Sequence, residues 1–187
     1  MFKKLGFFLL VSLLFVPASF SLEINGVNIP ETLKAGNTNL ILNGAGIRSK
    51  FFVKAYVGAL YLKAKNSNPD AIINANEAMA IKLHITSSMI TSEKMESATR
   101  EGFQNSTNGK IAPINTQIEQ FISVFKEEIK SNDIYDIIYT PEKGVDVLKN
   151  GKFKVNAKGL DFKKALFGIW LCDRPAHKKL KYGMLGN

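Results

Sequence analysis

At 187 residues with a formal net charge of +9, the chain is long enough for one domain with a real core, and its 45% hydrophobic share is ordinary for a globular protein. The charge is mostly lysine spread along the chain, with Arg48, Arg100 and Arg174 as the arginines and no basic cluster interleaved with aromatics, which argues against a nucleic-acid partner. A single cysteine, Cys172, excludes an internal disulfide, and His84 and His177 lie too far apart in sequence to suggest a metal site or any bound cofactor.

The chain opens on Lys3 and Lys4, followed by an apolar run from Leu5 to Val16 that only Ser12 interrupts. Pro17 and the small residues Ser19 and Ser21 come next. A basic start, an apolar stretch and small residues at a cleavage point make a secretory signal peptide, here residues 1–21. The run is shorter than the ~20 residues that span a bilayer, so cleavage is expected rather than anchoring. No other stretch is long enough to span. The expected product is residues 22–187, periplasmic or secreted from a bacterium. Loss of Lys3 and Lys4 lowers its formal charge from +9 to +7. That surface favours solubility, and it also attracts anionic ligands or membranes of the cell envelope.

Leu22 to Pro30 reads as a hairpin turning at Asn25-Gly26. Leu40 to Ile47 is a strand with a glycine-rich end, and Phe51 to Leu62 is a long apolar run that predicts a buried strand. Lys65 to Pro69 is a loop, Ala71 to Ala78 a short helix, and Ala80 to Thr86 an alternating strand. The period then lengthens. Met95, Ala98, Gly102 and Phe103 share one face of a helix from Ser92 to Phe103, with Thr91 or Ser92 as its N-cap. Pro113 to Ile129 carries the strongest helical periodicity, through Ile114, Ile118, Phe121, Ile122, Phe125 and Ile129. Ile134 to Thr140 returns to strand, and Val145 to Val155 is a second hairpin around Asn150-Gly151. Asp161 is expected to cap an amphipathic helix reaching Leu171, and Pro175 to Leu185 forms another helix. The sum is an α+β domain, an antiparallel sheet with helices grouped on one side. Cys172, in an apolar stretch, is expected to be an inert buried thiol.

The segment from Leu42 to Leu62 holds the most informative residues. Gly44 and Gly46 lack the third glycine and the following helix of a phosphate-binding turn, and a glycine bulge between strands fits better. Arg48 sits between these glycines and an apolar strand. A guanidinium there either reaches the surface or faces a cavity, where it matches a carboxylate bidentately. Strand alternation sets Arg48 and Tyr56 on one face, provided no turn intervenes near Ser49-Lys50.

This segment resembles the chalcone isomerase family, whose plant members carry Gly-Gly-Ala-Gly-x-Arg followed by Lys-Phe-Val-Lys and Gly-Val-Tyr-Leu. The resemblance returns at Thr91-Ser92-Glu93-Lys94-Met95, where plant enzymes have Tyr-Ser-Glu-Lys-Val. From Asp161 through Phe167-Gly168-Ile169-Trp170-Leu171 to Asp173 and Pro175 the chain resembles the bacterial exported branch of chalcone isomerase-like proteins. The resemblance implies a large antiparallel sheet packed against a layer of helices, with a ligand cleft between. It also implies two functional groups: enzymes that close a chalcone to a flavanone by Michael addition, and relatives that hold a fatty-acid carboxylate with the matching arginine and a tyrosine. Arg48 matches the family arginine. The enzymes' strand threonine corresponds to Ala55, and their active-site tyrosine to Thr91. Losing one hydroxyl and shortening the other argues against the same chemistry.

The resulting expectation is an exported, non-catalytic chalcone isomerase-like protein binding a fatty acid or similar apolar carboxylate. Arg48, Tyr56, Lys54 and Thr91 are the candidate ligand-binding residues. Two alternatives stand beside it. One is an intramolecular lyase or isomerase acting on a chalcone-like enone, with Arg48 and Thr91 as the catalytic candidates. The other is a structural or interaction protein whose cleft is filled by side chains. Export favours binding, since a flavonoid-making enzyme belongs beside a cytosolic precursor supply.

Overall fold

The structure, a computed structural model, describes residues 21–187. The expected signal peptide falls almost wholly outside the described residues. The first described strands, β1 (Ser21–Ile24) and β2 (Val27–Pro30), form the expected hairpin around Asn25-Gly26. β3 (Thr32–Ala35) then begins a seven-stranded sheet with β4 (Thr38–Lys50), β5 (Val53–Leu62), β6 (Met79–Ile85), β7 (Ile134–Thr140), β8 (Gly144–Lys149) and β9 (Lys152–Ala157). The strands lie in chain order and every pair is antiparallel. β3 was not expected from the sequence, because four residues with a charged Lys34 give too little alternation to stand out.

The helices are α1 (Pro69–Asn74), α2 (Ser92–Ser106), α3 (Asn115–Ile122), α4 (Leu160–Leu171) and α5 (Lys178–Met184). They share a core with one face of the sheet, built from residues such as Leu60, Leu83, Phe103, Phe121, Phe162 and Leu166. The opposite face of β4–β5 packs Val57, Ala59 and Tyr61 against Val27 and Ile29 of the small hairpin, and the Tyr61 hydroxyl donates to the Pro30 carbonyl at 2.9 Å.

Three local expectations are corrected. The helix expected from Pro113 to Ile129 is short: α3 ends at Ile122, between 3-10 turns at Ala112–Ile114 and Ser123–Phe125. The Ser123 hydroxyl donates back to the Gln120 carbonyl at the point where the α-helix tightens into the 3-10 turn. Asp161 is exposed in the first turn of α4, where its charge faces the helix dipole; Gly159 occupies the capping position. Phe51 and Phe52 are not buried strand but an exposed two-residue turn between Lys50 and Val53.

One close approach locks α5 to the sheet, and one buried lysine locks two helices together. α5 lies so close over β4 that a Cβ on Gly44 would stand 2.2 Å from the Gly183 carbonyl oxygen. The glycines therefore serve close approach, and the bulged residue beside them is Asn43. Its buried amide donates to the carbonyls of Asn66 and Met184 at 2.9 and 2.8 Å, tying β4 to α5. On α4, Lys163 is fully buried. Its ammonium donates to the carbonyls of Ile72, Ile73 and Ala75 at 2.9, 2.9 and 2.7 Å, closing the C-terminal end of α1.

Candidate functional site

Arg48 and Tyr56 face each other directly across the β4–β5 hairpin. The turn at Phe51-Phe52 falls between them and breaks the expected alternation, and it is the pairing of the two strands that brings them together. The guanidinium carbon stands 5.7 Å from the centroid of the Tyr56 ring, within reach of a cation–π attraction. Tyr56 is buried, and its hydroxyl accepts a hydrogen bond from Trp170 Nε1 at 2.9 Å. Burial pushes the Tyr56 pKa up, against the opposing pull of the Arg48 charge and the Trp170 bond. A neutral phenol that accepts from Trp170 keeps its own proton for donation to something else.

Arg48 is half-buried. Among the described residues no side chain or carbonyl pairs with its guanidinium, whereas Arg100 grips Glu119 and Glu96 and Arg174 donates to Asn108. Arg48 instead borders a cavity of about 470 Å³ between the hairpin end and α2, walled by Ala55, Tyr56, Ile90, Met95 and Ala98. Adjoining spaces of about 190 and 20 Å³ also touch Arg48, the smaller running inward past Trp170 and Phe121. Apolar walls with a few convergent polar groups, at this size, are the usual form of a small-molecule site. No group of three or more metal-ligating side chains occurs among the described residues.

The other two candidates are placed elsewhere. A register shift pairs Arg48 with Tyr56 but Ser49 with Lys54, leaving Ala55 as the extra residue of a bulge. The bulge puts Ala55 and Tyr56 together on the cleft side and turns Lys54 to the opposite face, where its ammonium donates to Asn25 Oδ1 at 3.0 Å. Thr91 is the N-cap of α2 and its hydroxyl accepts from the Lys94 amide at 3.3 Å. It does not wall the cleft. Trp170, which orients the Tyr56 hydroxyl, was not singled out from the sequence as a site residue. Its signal there was only an aromatic in an apolar helix, which reads equally well as core.

His177 stands at the start of α5, where Nδ1 accepts from the Leu180 amide at 3.3 Å. Burial, the Arg48 charge and the Lys179 charge all lower its pKa below the usual 6.5. The unfolded chain thus takes up this proton before the folded one does. Its contribution is complete above pH 6.5 and is lost as acidification passes the lower folded value. Hydrogen-exchange protection factors in α5, referred to the intrinsic rate at each pH, should fall on acidification, and His177→Asn, which keeps a capping acceptor, should remove most of that pH dependence.

The chain is thus an α+β domain, an antiparallel sheet under a layer of helices, with an arginine–tyrosine pair beside a cavity. The sequence matches the family model described as "Chalcone isomerase-like" over residues 21–186, and the chain belongs to that family. Its fold is similar to the crystal structure of a fatty-acid binding protein of Arabidopsis thaliana, with a TM-score of 0.70 over 90% of this chain and 97% of the plant one, at 16% identity. No curated protein matches the sequence.

Proposed function

We infer that the protein binds a fatty acid or a similar apolar carboxylate in the cleft beside Arg48, without catalysis. One observation carries this reading: a half-buried arginine with no anionic partner among the described residues, next to a tyrosine with a proton to give, at the edge of an apolar cavity. A guanidinium so placed gains most from a carboxylate, which it holds bidentately while the acyl chain lies along Ala55, Met95 and Ala98. The plant fatty-acid binding protein of similar fold is consistent with it. The enone-isomerase reading loses support from two residues. Ala55 offers no hydroxyl to the cleft, and the Thr91 hydroxyl is engaged at the N-terminus of α2.

In this reading the protein is a member of the bacterial exported branch, released by cleavage after Ser21 and acting outside the inner membrane. Native mass spectrometry of the periplasmic fraction tests both parts together. The expected species is residues 22–187 carrying an added mass in the fatty-acid range. Arg48→Ala should weaken fatty-acid binding by about 10- to 100-fold, the usual worth of a charge-assisted hydrogen-bond pair. An Arg48→Ala protein of unchanged affinity would overturn the anchor.

A further inference from the structure

The β4–β5 turn is built from the wrong residues for a turn. Among the described residues four hairpins close through two residues, β1–β2, β3–β4, β4–β5 and β8–β9, and the second turns at Gly36-Asn37 with Gly36 at φ 59°. The first and last use Asn25-Gly26 and Asn150-Gly151, with φ of 54° and 74°, then 53° and 74°. These are the residues that tolerate the left-handed region. The β4–β5 turn is Phe51-Phe52, and Phe51 is held at φ 54°. A bulky side chain there is strained. Neither phenyl repays the strain by packing, since Phe51 is 88% and Phe52 104% exposed. The fold gives no reason for either residue.

What surrounds them supplies one. Phe51 and Met89, itself 56% exposed, both border the cavity beside Arg48, so the exposed apolar side chains gather at its mouth. The hairpin from Arg48 to Lys54 carries Arg48, Lys50 and Lys54 and no acidic residue. Across the mouth, Lys94 accompanies Glu93 and Glu101, which leaves the rim positive. Apolar side chains projecting beyond a basic collar match a bilayer interface with anionic headgroups: the phenyls enter the acyl boundary and the lysines stay among the phosphates.

We propose that the Phe51-Phe52 turn is a membrane-docking tip that seats the mouth of the cleft on an anionic lipid surface. Docking does not depend on the acyl-binding reading, since it needs only the tip and its collar. If both hold, the cavity opens directly onto the lipid that would fill it.

The test uses residues 21–187, which include every element described, stripped of bound lipid, and vesicles of phosphatidylcholine with and without phosphatidylglycerol. The wild-type protein should co-sediment with the anionic vesicles and release as salt rises. Phe51→Asn with Phe52→Gly, which installs the Asn-Gly turn of the β1–β2 and β8–β9 hairpins, should lower vesicle affinity at least about tenfold. The same pair of changes should raise the thermal midpoint by about 3 °C, by relieving the strained turn. Lys50→Gln with Lys54→Gln should weaken binding to anionic vesicles and flatten its salt dependence. Absence of wild-type binding, or a double-phenylalanine variant within about twofold of it, would overturn the proposal. So would a fall in thermal midpoint, which would make the phenyls part of the fold. Concentration-dependent self-association lost in that variant would assign the tip to a second copy of the chain instead. Because the protein is stripped of lipid, failure of the acyl reading leaves this result intact, and the reverse holds for Arg48→Ala.

Discussion

Lys163→Met should lower the thermal midpoint by about 10 °C, from a loss of about 3–4 kcal/mol, the range found when one partner of a buried charged contact is removed. The side chain is fully buried in α4, and its ammonium supplies a donor to each of three carbonyls at the end of α1. Methionine fills similar volume but leaves those carbonyls unpaired beneath the helix layer. The rings of Phe167 and Tyr139, 5.4 and 5.6 Å from the ammonium, also lose the cation they face. Burial, with a smaller contribution from Lys164, lowers the Lys163 pKa from 10.5 to about 8. Between those values the unfolded chain holds a proton that the folded one has released, so stability from this residue rises with pH across that window. Urea unfolding from pH 7 to 10 should show the gap between wild type and variant widening above about pH 8. A constant gap would mean that Lys163 does not titrate in this range.

Little in the sequence announces Lys163. A lysine in an amphipathic helix is ordinarily solvated, and only the three-dimensional meeting of α1 with α4 makes this one internal. The two Asn-Gly hairpins, by contrast, were legible because the turn chemistry is local. The Thr91 cap and most strand cores were legible for the same reason. The α+β class followed from the change of period between β6 and α2. The site was legible by halves. Arg48 and Tyr56 come together as their positions on adjoining strands suggested, although through cross-strand pairing rather than alternation within one strand. Lys54 was misplaced because one bulged residue, Ala55, reverses the facing of everything before it on β5. Phe51 and Phe52 joined the predicted strand because hydrophobicity alone does not separate a buried run from an exposed turn.

Gly44→Ala should be comparably damaging, and in a different place. The added methyl would lie 2.2 Å from the Gly183 oxygen, 2.8 Å from the Gly186 nitrogen and 3.0 Å from the Met184 oxygen. All three are backbone atoms, so no rotamer change makes room and α5 must lift from β4. Lifting it exposes Leu180, Met184 and Leu185, all buried in the intact domain. The expected cost is about 3 kcal/mol or more, a further drop of about 10 °C, since overpacking adds to lost burial. Hydrogen exchange should show protection lost first in residues 178–186, with the β7–β9 hairpins intact. Gly26→Ala is the contrast. Nothing lies within 4 Å of its added methyl, and only the left-handed φ of 74° opposes it, at about 1 kcal/mol. Equal losses in the two variants would refute the close-approach account of Gly44.

The strictly sequential strand order also sets how the domain assembles in time. Most pairings in the large sheet join strands linked by a short turn, so each hairpin closes with little loss of chain entropy. The widest gap between paired strands falls between Ile85 and Ile134, where the chain detours through α2 and α3 before β7 can pair with β6. That detour contains one wall of the cleft. The slowest step of folding is therefore expected to be the union of the sheet's two halves across β6 and β7. Every residue lining the main cavity precedes β7, so its walls belong wholly to the first of those halves and the detour that follows it.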